Sequence, residues 1–286
     1  MSRTLALDIG GTKTLLALVE EGAVVEELRI PTERAGDPAA WFDAIAEAAR
    51  PWRGGFARVA AAVSGVVVDG QWSALNPATL PIGSSAPLAR ALEARLGAPA
   101  FCVNDAQAAA WGEHRFGAGE RRDCVFVTIS TGIGGGVVID GKLLIGRGGL
   151  AGSVGLTRAG RSLGAPFVDD VASGRWMAEA ARGVGREADA PAVFAAAAAG
   201  ERWAEEILAA SADAVANLLV TLQLLFDPPL MVIGGGVGLA PGYAEALRAR
   251  FATQPTRLRP DLRLAALGAR AGVVGAADLA VNTPRP

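Results

Sequence analysis

The residue types best suited to chemistry fall in one short segment, Leu5 to Thr14 (LALDIGGTKT). A carboxylate, Asp8, stands at the end of an apolar run, followed by Gly10, Gly11, the hydroxyl of Thr12 and the ammonium of Lys13. Phosphate groups are held by backbone N–H groups that nothing bulky screens, with a cation or hydroxyl completing the cage. Paired glycines let the backbone turn and approach that closely. A second such segment is Val125 to Val138 (VFVTISTGIGGGVV), in which a strand-like run ends in Ser130, Thr131 and Gly132, and Gly134 to Gly136 leads into another apolar run. A third, Leu230 to Gly238 (LMVIGGGVG), runs into Gly234, Gly235 and Gly236. None matches the P-loop pattern GxxxxGK(S/T) or the dinucleotide pattern GxGxxG in its context. Ordinary hairpin turns are the plain alternative in a chain with 37 glycines, but three clusters, each behind a buried run, fit that alternative less well.

Phosphoryl transfer to an alcohol also needs a carboxylate within hydrogen-bond reach of the attacking hydroxyl, and little other covalent help. Asn104 and Asp105 close the strand-like run Ala100 to Val103, and Ala106 to His114 open a helix. Ligands of open α/β sheets gather at the carboxyl ends of strands, which makes Asp105 the candidate base. Capping the helix is its alternative role. His114, the single histidine, has no partner cluster in the sequence and reads as structural. Cys102 and Cys124 each fall on a strand-like run and read as reduced core residues, and the lack of a CxxC argues against a metal site of soft ligands.

The elements that would position these groups alternate as in an α/β protein with a mixed sheet. Leu5–Ile9, Leu15–Val19 and Val24–Ile30 read as an antiparallel meander. A helix comes next over Asp37–Arg50, with Asp37 as N-cap and Pro38 at its first position. Then come a strand over Val59–Val68 carrying Ser64 and Gly65, a turn-rich loop from Asp69 to Pro81, and a helix over Ser85–Leu96 ended by Gly97. Beyond a boundary near residue 118, helices are expected over Val168–Arg182, Ala190–Ala199, Glu201–Phe226, Gly242–Phe251 and Gly272–Val281, and strands over Leu230–Ile233 and Leu262–Leu267. The glycine-rich loop Gly146–Leu156 lacks a hydroxyl-lysine donor pair and reads as a shaped wall. The last helix is expected to pack back on the first domain. With 51% apolar and 20% charged residues, a net charge of −2 and no basic cluster, the composition is globular and argues against nucleic acid or an anionic membrane as partner. No uninterrupted apolar run reaches the length of a membrane span and the start does not read as a signal peptide, so a cytoplasmic protein is expected.

Taken together and in order, DIGGTK at 8–13, NDAQAAAWGE at 104–113, STGIGGG at 130–136, GGLAG at 148–152 and VIGGGVG at 232–238 resemble the ROK family of sugar kinases and sugar-responsive repressors. The similarity spans nearly the whole chain. It implies the two-domain actin-like ATPase (ribonuclease H-like) fold, with a sugar and phosphate domain over 1–118 plus 270–286 and a nucleotide domain over 119–269 closing over an interdomain cleft. It also implies ATP and magnesium as cofactors, a small-molecule sugar as substrate, and a homodimer. Within the family, SGVVVDGQWSALNPATLP, NDAQAAAWGE and GGLAG look most like the branch that phosphorylates the 6-hydroxyl of N-acetylmannosamine in sialic acid breakdown. The repressor branch carries an N-terminal helix-turn-helix, and the first strand here begins too early to leave room for one. By the resemblance, Asp105 is the general base and Asn104, Gly65 and Asn76 touch the sugar. Gly10, Gly11, Thr12, Lys13, Thr131, Gly132, Gly134, Gly234 and Gly235 hold the nucleotide, and Asp8 lies where the metal-bound phosphates approach.

The departures from the family pattern fall in one place. Ser153 stands where Glu or His usually contacts the sugar, and Leu156 where a His contacts sugar and ligates a structural zinc. The segment Arg158–Phe167 contains no cysteine, so the zinc loop reads as deleted and no zinc is expected. Aligning Val171 to Gly174 puts Asp169 at the position of a sugar-contacting Glu, one methylene shorter. Lost sugar contacts cost about 0.5–1.5 kcal/mol each. A kinase for another hexose and a non-catalytic sugar or nucleotide sensor therefore stand beside the N-acetylmannosamine reading.

Overall fold

The computed structural model describes residues 3–32, 38–75, 82 and 85–283. The chain divides into two compact units, one of residues 1–116, 143–151 and 269–286, the other of 117–142 and 152–268.

In the first unit, β1 (Thr4–Ile9), β2 (Lys13–Glu20) and β3 (Ala23–Pro31) form the expected meander. Helix α1 (Pro38–Ala48) comes next, buried on Trp41, Phe42 and Ile45; the expected cap Asp37 lies outside the described residues. The run expected as one strand over Val59–Val68 is two, β4 (Arg58–Val63) and β5 (Val66–Val68), because Gly65 takes φ +107° and turns the chain. Strand β5 pairs with β6 (Gln71–Ser73) inside what reads as loop. Helix α2 (Leu88–Leu96) starts three residues later than expected and ends on left-handed Gly97. Strand β7 (Ala100–Asn104) then leads directly into α3 (Asp105–Phe116).

The sheet order is β3-β2-β1-β4-β7, with β4 parallel to both β1 and β7. Leu5, Leu7, Ile9, Val59, Ala61 and Val63 face one core; Ala6, Ala60 and Ala62 face another that includes Val273 and Ala276. The segment 143–151, placed by sequence in the second domain, packs with this unit. Gln107 Nε2 donates to the carbonyls of Gly149 (3.3 Å) and Ala151 (2.8 Å), and a Cβ on Gly149 would meet the Val67 carbonyl at 2.9 Å.

In the second unit, β8 (Cys124–Ile129), β9 (Ile133–Ile139) and β10 (Lys142–Leu143) are followed by α4 (Asp169–Ala172), α5 (Gly174–Gly183), α6 (Ala190–Ala198) and α7 (Arg202–Phe226). The helix expected over Val168–Arg182 is broken at Ser173, whose extended backbone and side chain cap α5 through the Trp176 N–H. Next come β11 (Met231–Gly234), the short α8 (Gly235–Gly238), α9 (Tyr243–Phe251) and β12 (Leu262–Leu264), which stops short of the expected Leu267. The sheet order is β10-β9-β8-β11-β12, again an antiparallel pair, β8 and β9, beside parallel strands. Although no uninterrupted apolar run marks it, the 25-residue α7 is long and apolar enough to cross a membrane by length and composition. Ile207, Val215, Leu219 and Leu222 on it nevertheless belong to this unit's core.

The last helix, α10 (Ala271–Asn282), packs on α3 in the first unit. The approach is close enough to require glycine: a Cβ on Gly275 would sit 1.8 Å from the Ala108 carbonyl, and one on Gly112 2.5 Å from the Ala271 carbonyl. Asp278 of α10 accepts from Trp111 Nε1 (2.7 Å) and pairs with Arg115 (3.1 Å). The helix that carries Asp105 is thus clamped along its length. His114 is buried and stacks on Trp111 with ring centroids 5.1 Å apart, and neither cysteine is in a disulfide.

Candidate active site

The carboxyl ends of β1, β4 and β7 lie side by side, with Ile9 opposite Val63 and Val63 opposite Asn104. The segments that leave these strand ends therefore gather at one edge of the first unit: the turn Gly10–Thr12, the bend Ser64-Gly65, and the pair Asn104-Asp105. The Gly10 N–H donates to the Lys13 carbonyl (3.1 Å), closing the turn, and a Cβ on Gly10 would press that same oxygen at 3.0 Å. The Thr12 and Lys13 side chains are exposed there.

Asn104 is the helix cap. Its Oδ1 accepts from the N–H groups of Ala106 and Gln107, both at 3.0 Å, while its Nδ2 donates to the Gly65 carbonyl (2.9 Å). A Cβ on Gly65 would meet the Ser73 carbonyl at 2.5 Å, so this join between the bend and the cap needs glycine. With the cap supplied by Asn104, the Asp105 carboxylate is left to point from the first helical position, one oxygen accepting from Ala106 N–H (2.8 Å). Burial raises its proton affinity above the ordinary aspartate value, with the Ala106 bond and the Asn104 side chain pulling the other way.

Asp8, half-buried at the end of β1, is pushed up to about 7, first by burial and then by the negative charge of Asp105. A Cβ on Gly272, in the first turn of α10, would lie 3.5 Å from its Oδ2. Two carboxylates that repel each other in a desolvated corner form a donor set for a hard divalent cation, which would relieve both effects.

The second unit gathers a different set. The turn after β8 is closed by Ser130 N–H to the Gly132 carbonyl (2.8 Å), and the Ser130 and Thr131 carbonyls accept from Gly174 (2.7 Å) and Arg175 (3.1 Å) at the start of α5. Beside it, Gly234 pairs with Thr128. Gly235 takes φ +83°, where a Cβ would lie 2.2 Å from the Ile129 carbonyl, so no side chain fits. A Cβ on Gly132 would lie 3.1 Å from Asp169 Oδ1, and Gly134 continues this turn into β9. These segments open on a recess of about 850 Å³ walled by Thr131, Arg175, Arg182, Pro191, Phe194 and Leu239. Its guanidiniums suit phosphates and its apolar wall a purine, so the residues present fit a nucleotide.

Of the residues singled out from sequence, Asp8, Gly10, Gly11, Thr12, Lys13, Gly65, Asn104 and Asp105 fold with the first unit. Thr131, Gly132, Gly134, Gly234, Gly235, Ser153 and Asp169 fold with the second. Asn76 lies outside the described residues. The Asp169 carboxylate, expected at a sugar-contacting position, is engaged within its own unit, one oxygen accepting from Ile133 N–H (2.5 Å) and the other pairing with Arg175 (2.6 Å). It braces the Thr131-Gly132 turn. Ser153 precedes a single 3₁₀ turn, Val154–Leu156, that leaves Leu156 41% exposed. Sequence reasoning missed Gln107, Arg175, Arg182 and Phe194. Gln107 lies inside the motif NDAQAAAWGE, whereas the other three stand on helices with nothing local to mark them.

The chain belongs to the ROK family, whose description matches residues 4–283. It is 47% identical over 281 residues to the bifunctional enzyme NanE/NanK of Brucella melitensis, covering 98% of this chain and 54% of that protein. The chain thus spans about half the length of that bifunctional relative. It is 42% identical over 284 residues to the N-acetylmannosamine kinase of Salmonella arizonae, covering 97% of this chain and 98% of that one. Among solved structures, a ROK family glucokinase from Streptomyces griseus in complex with glucose and AMPPNP superposes with a TM-score of 0.81 at 30% identity, over 98% of this chain and 99% of that one. The fold is that of the ROK sugar kinase structures.

Proposed function

We propose that the chain is an ATP-dependent sugar kinase that phosphorylates the 6-hydroxyl of N-acetylmannosamine, with Asp105 as general base. The observation that carries this reading is the division of roles at the start of α3: Asn104 caps the helix and leaves the adjacent carboxylate, with its proton affinity raised by burial, at the carboxyl edge of the sheet. The sugar oxygen attacks the terminal phosphorus, the bond to the ADP oxygen breaks, and the proton of the hydroxyl passes to Asp105. Asn104, tied to Gly65, orients the sugar. The N–H groups of the Gly10–Thr12 turn, with Lys13, meet phosphate oxygens, and the glycines and recess of the second unit take the nucleotide. Magnesium bound with the phosphates supplies charge neutralisation, and Asp8 is the group that would face it. The 42% identity to the N-acetylmannosamine kinase of Salmonella arizonae over nearly its full length supports this choice of sugar.

A kinase for another hexose is the second reading, favoured by the exposed Leu156 where the family places a polar sugar contact. ADP release by the purified protein with ATP and magnesium decides between them, read against N-acetylmannosamine, N-acetylglucosamine, glucose, mannose, fructose and no sugar. Turnover confined to N-acetylmannosamine is expected. Turnover on another sugar alone replaces the substrate, and silence across the panel with measurable ATP binding removes the kinase reading. Light scattering tests the homodimer that the resemblance implies.

A further inference from the structure

The first unit holds a second recess, of about 710 Å³, within the size range of small-molecule pockets. It opens beside Arg58 and Ala100 at the amino ends of β4 and β7, whereas Asn104 and Asp105 stand at the other end of β7. It is therefore separate from the Asp105 site. Its walls are apolar at Val68, Phe101 and Ile145 and carry three guanidiniums, Arg58, Arg90 and Arg147. Among the described residues none of these three makes an ion pair, in contrast to Arg95, Arg115, Arg175 and Arg250. Arg58 gives one hydrogen bond, to the Ala280 carbonyl at 3.3 Å. Two carboxylates border the recess, but Glu93 is occupied by the Ala100 N–H (3.0 Å) and Asp69 sits exposed at the tip of the β5–β6 hairpin.

We propose that this recess binds a small phosphate monoester. Arg58, Arg90 and Arg147 meet its dianionic phosphoryl group, and its carbon body lies against Val68, Phe101 and Ile145. Planar guanidinium forks match phosphate oxygens two at a time, which a single carboxylate would not saturate. Arg147 and Ile145 belong to the loop whose Gly149 and Ala151 carbonyls are held by Gln107, and the Gln107 N–H is held by Asn104. An occupant that fixes this loop thereby acts on the turn that carries Asp105. This effect on turnover rests on the kinase reading; the binding does not.

Titration calorimetry of the full chain with glucose 6-phosphate tests the binding, with glucose and gluconate as controls, beside the variant Arg90→Gln/Arg147→Gln. The variant's melting temperature without ligand checks its fold, since both side chains are exposed. Glucose 6-phosphate should bind the wild type and lose about tenfold or more in affinity in the variant, the loss expected for charge-assisted hydrogen bonds. Inorganic phosphate should compete, glucose and gluconate should not, and the initial rate of turnover, read before sugar phosphate accumulates, should be unchanged in the variant. Equal affinity in the two proteins, no binding at millimolar concentration, or equal competition by gluconate would overturn the proposal. Failure of ADP release on every sugar would sink the kinase reading while leaving the calorimetric result to stand by itself.

Discussion

In the first unit β1, β4 and β7 end at Ile9, Val63 and Asn104; in the second β8, β11 and β12 end at Ile129, Gly234 and Leu264, and the strand order around them is the same. A hairpin turn succeeds the first strand of each trio, and a left-handed glycine the second, Gly65 at φ +107° and Gly235 at φ +83°. The difference lies in charge. Asp8, next to last in β1, pairs with Ala62; at the corresponding place in β8 stands Thr128, paired with Gly234. The first unit adds Asp105 and so concentrates carboxylates whose proton affinity burial raises. The acid that the second unit brings to its edge, Asp169, is engaged by the Ile133 N–H and Arg175, and the glycines there keep side chains clear beside a recess with guanidinium and apolar walls. One strand plan thus carries two different edges, one with two carboxylates whose proton affinity burial raises and one with glycines and a guanidinium-lined recess.

Substitutions that respect or violate this division test it. Away from Asp105 itself, the largest effect is expected from Gly235→Val, because a β-branched residue at φ +83° against the Ile129 carbonyl has no room. Nucleotide affinity measured by titration should fall by more than about tenfold, the loss of one or two strong phosphate hydrogen bonds. Unchanged affinity would remove the second unit's glycines from the nucleotide site.

Gly275→Ala strikes the clamp on α3 instead. The added methyl would lie 1.8 Å from the Ala108 carbonyl, and overpacking of this kind costs about 1–3 kcal/mol. A lower melting temperature and reduced turnover are expected, and a fully stable, fully active variant would show that α10 does not position Asp105.

Asp8→Asn gives a pH signature. Folding raises the Asp8 pKa from 3.8 to about 7, so the folded state holds the proton more tightly than the unfolded state. The ionised group therefore costs stability above pH 7, and that cost disappears as pH falls through 7 towards 4. At pH 8 the variant should melt higher than wild type, by about 2–4 °C for each kcal/mol relieved, with the gain shrinking towards pH 4. A gain that is constant with pH would mean Asp8 is not held in a desolvated, like-charged corner.

The smallest effect belongs to Arg158→Ala. The Arg158 guanidinium stacks 3.8 Å from the Phe167 ring centroid and donates to the Ala165 carbonyl (2.7 Å), closing the loop in which no zinc is expected. Losing this exposed clasp should cost about 0.5–1 kcal/mol, and prolonged chelation followed by magnesium alone should restore full turnover. A requirement for added zinc would overturn the expectation that this loop holds none.

The hairpins and their glycines were legible in the sequence because strand, turn and strand are contiguous there. Asp105 was legible as a carboxylate at a strand end, but its freedom from capping depends on Asn104 accepting two N–H groups while reaching Gly65, a residue 39 positions away. The break at Ser173 was hidden by uninterrupted helical periodicity, since a buried cap replaces one turn without changing the apolar pattern. Likewise the 143–151 loop gave no sign of its unit, because Gln107, which holds it, is more than forty residues distant. Arg175, Arg182 and Phe194 converge on the recess only through the packing of α5 and α6. Contacts of that kind leave no mark on local spacing.

Asp105→Asn tests the central claim most directly, because it keeps size and shape while removing the base. Nucleotide and sugar dissociation constants and the single-turnover rate of phosphoryl transfer should be measured on the same preparation. Both constants are expected within about threefold of wild type, with transfer slowed by about 10²–10⁴, the range for loss of a general base. Transfer at the wild-type rate, or loss of nucleotide binding in step with turnover, would contradict the role of Asp105 as the base.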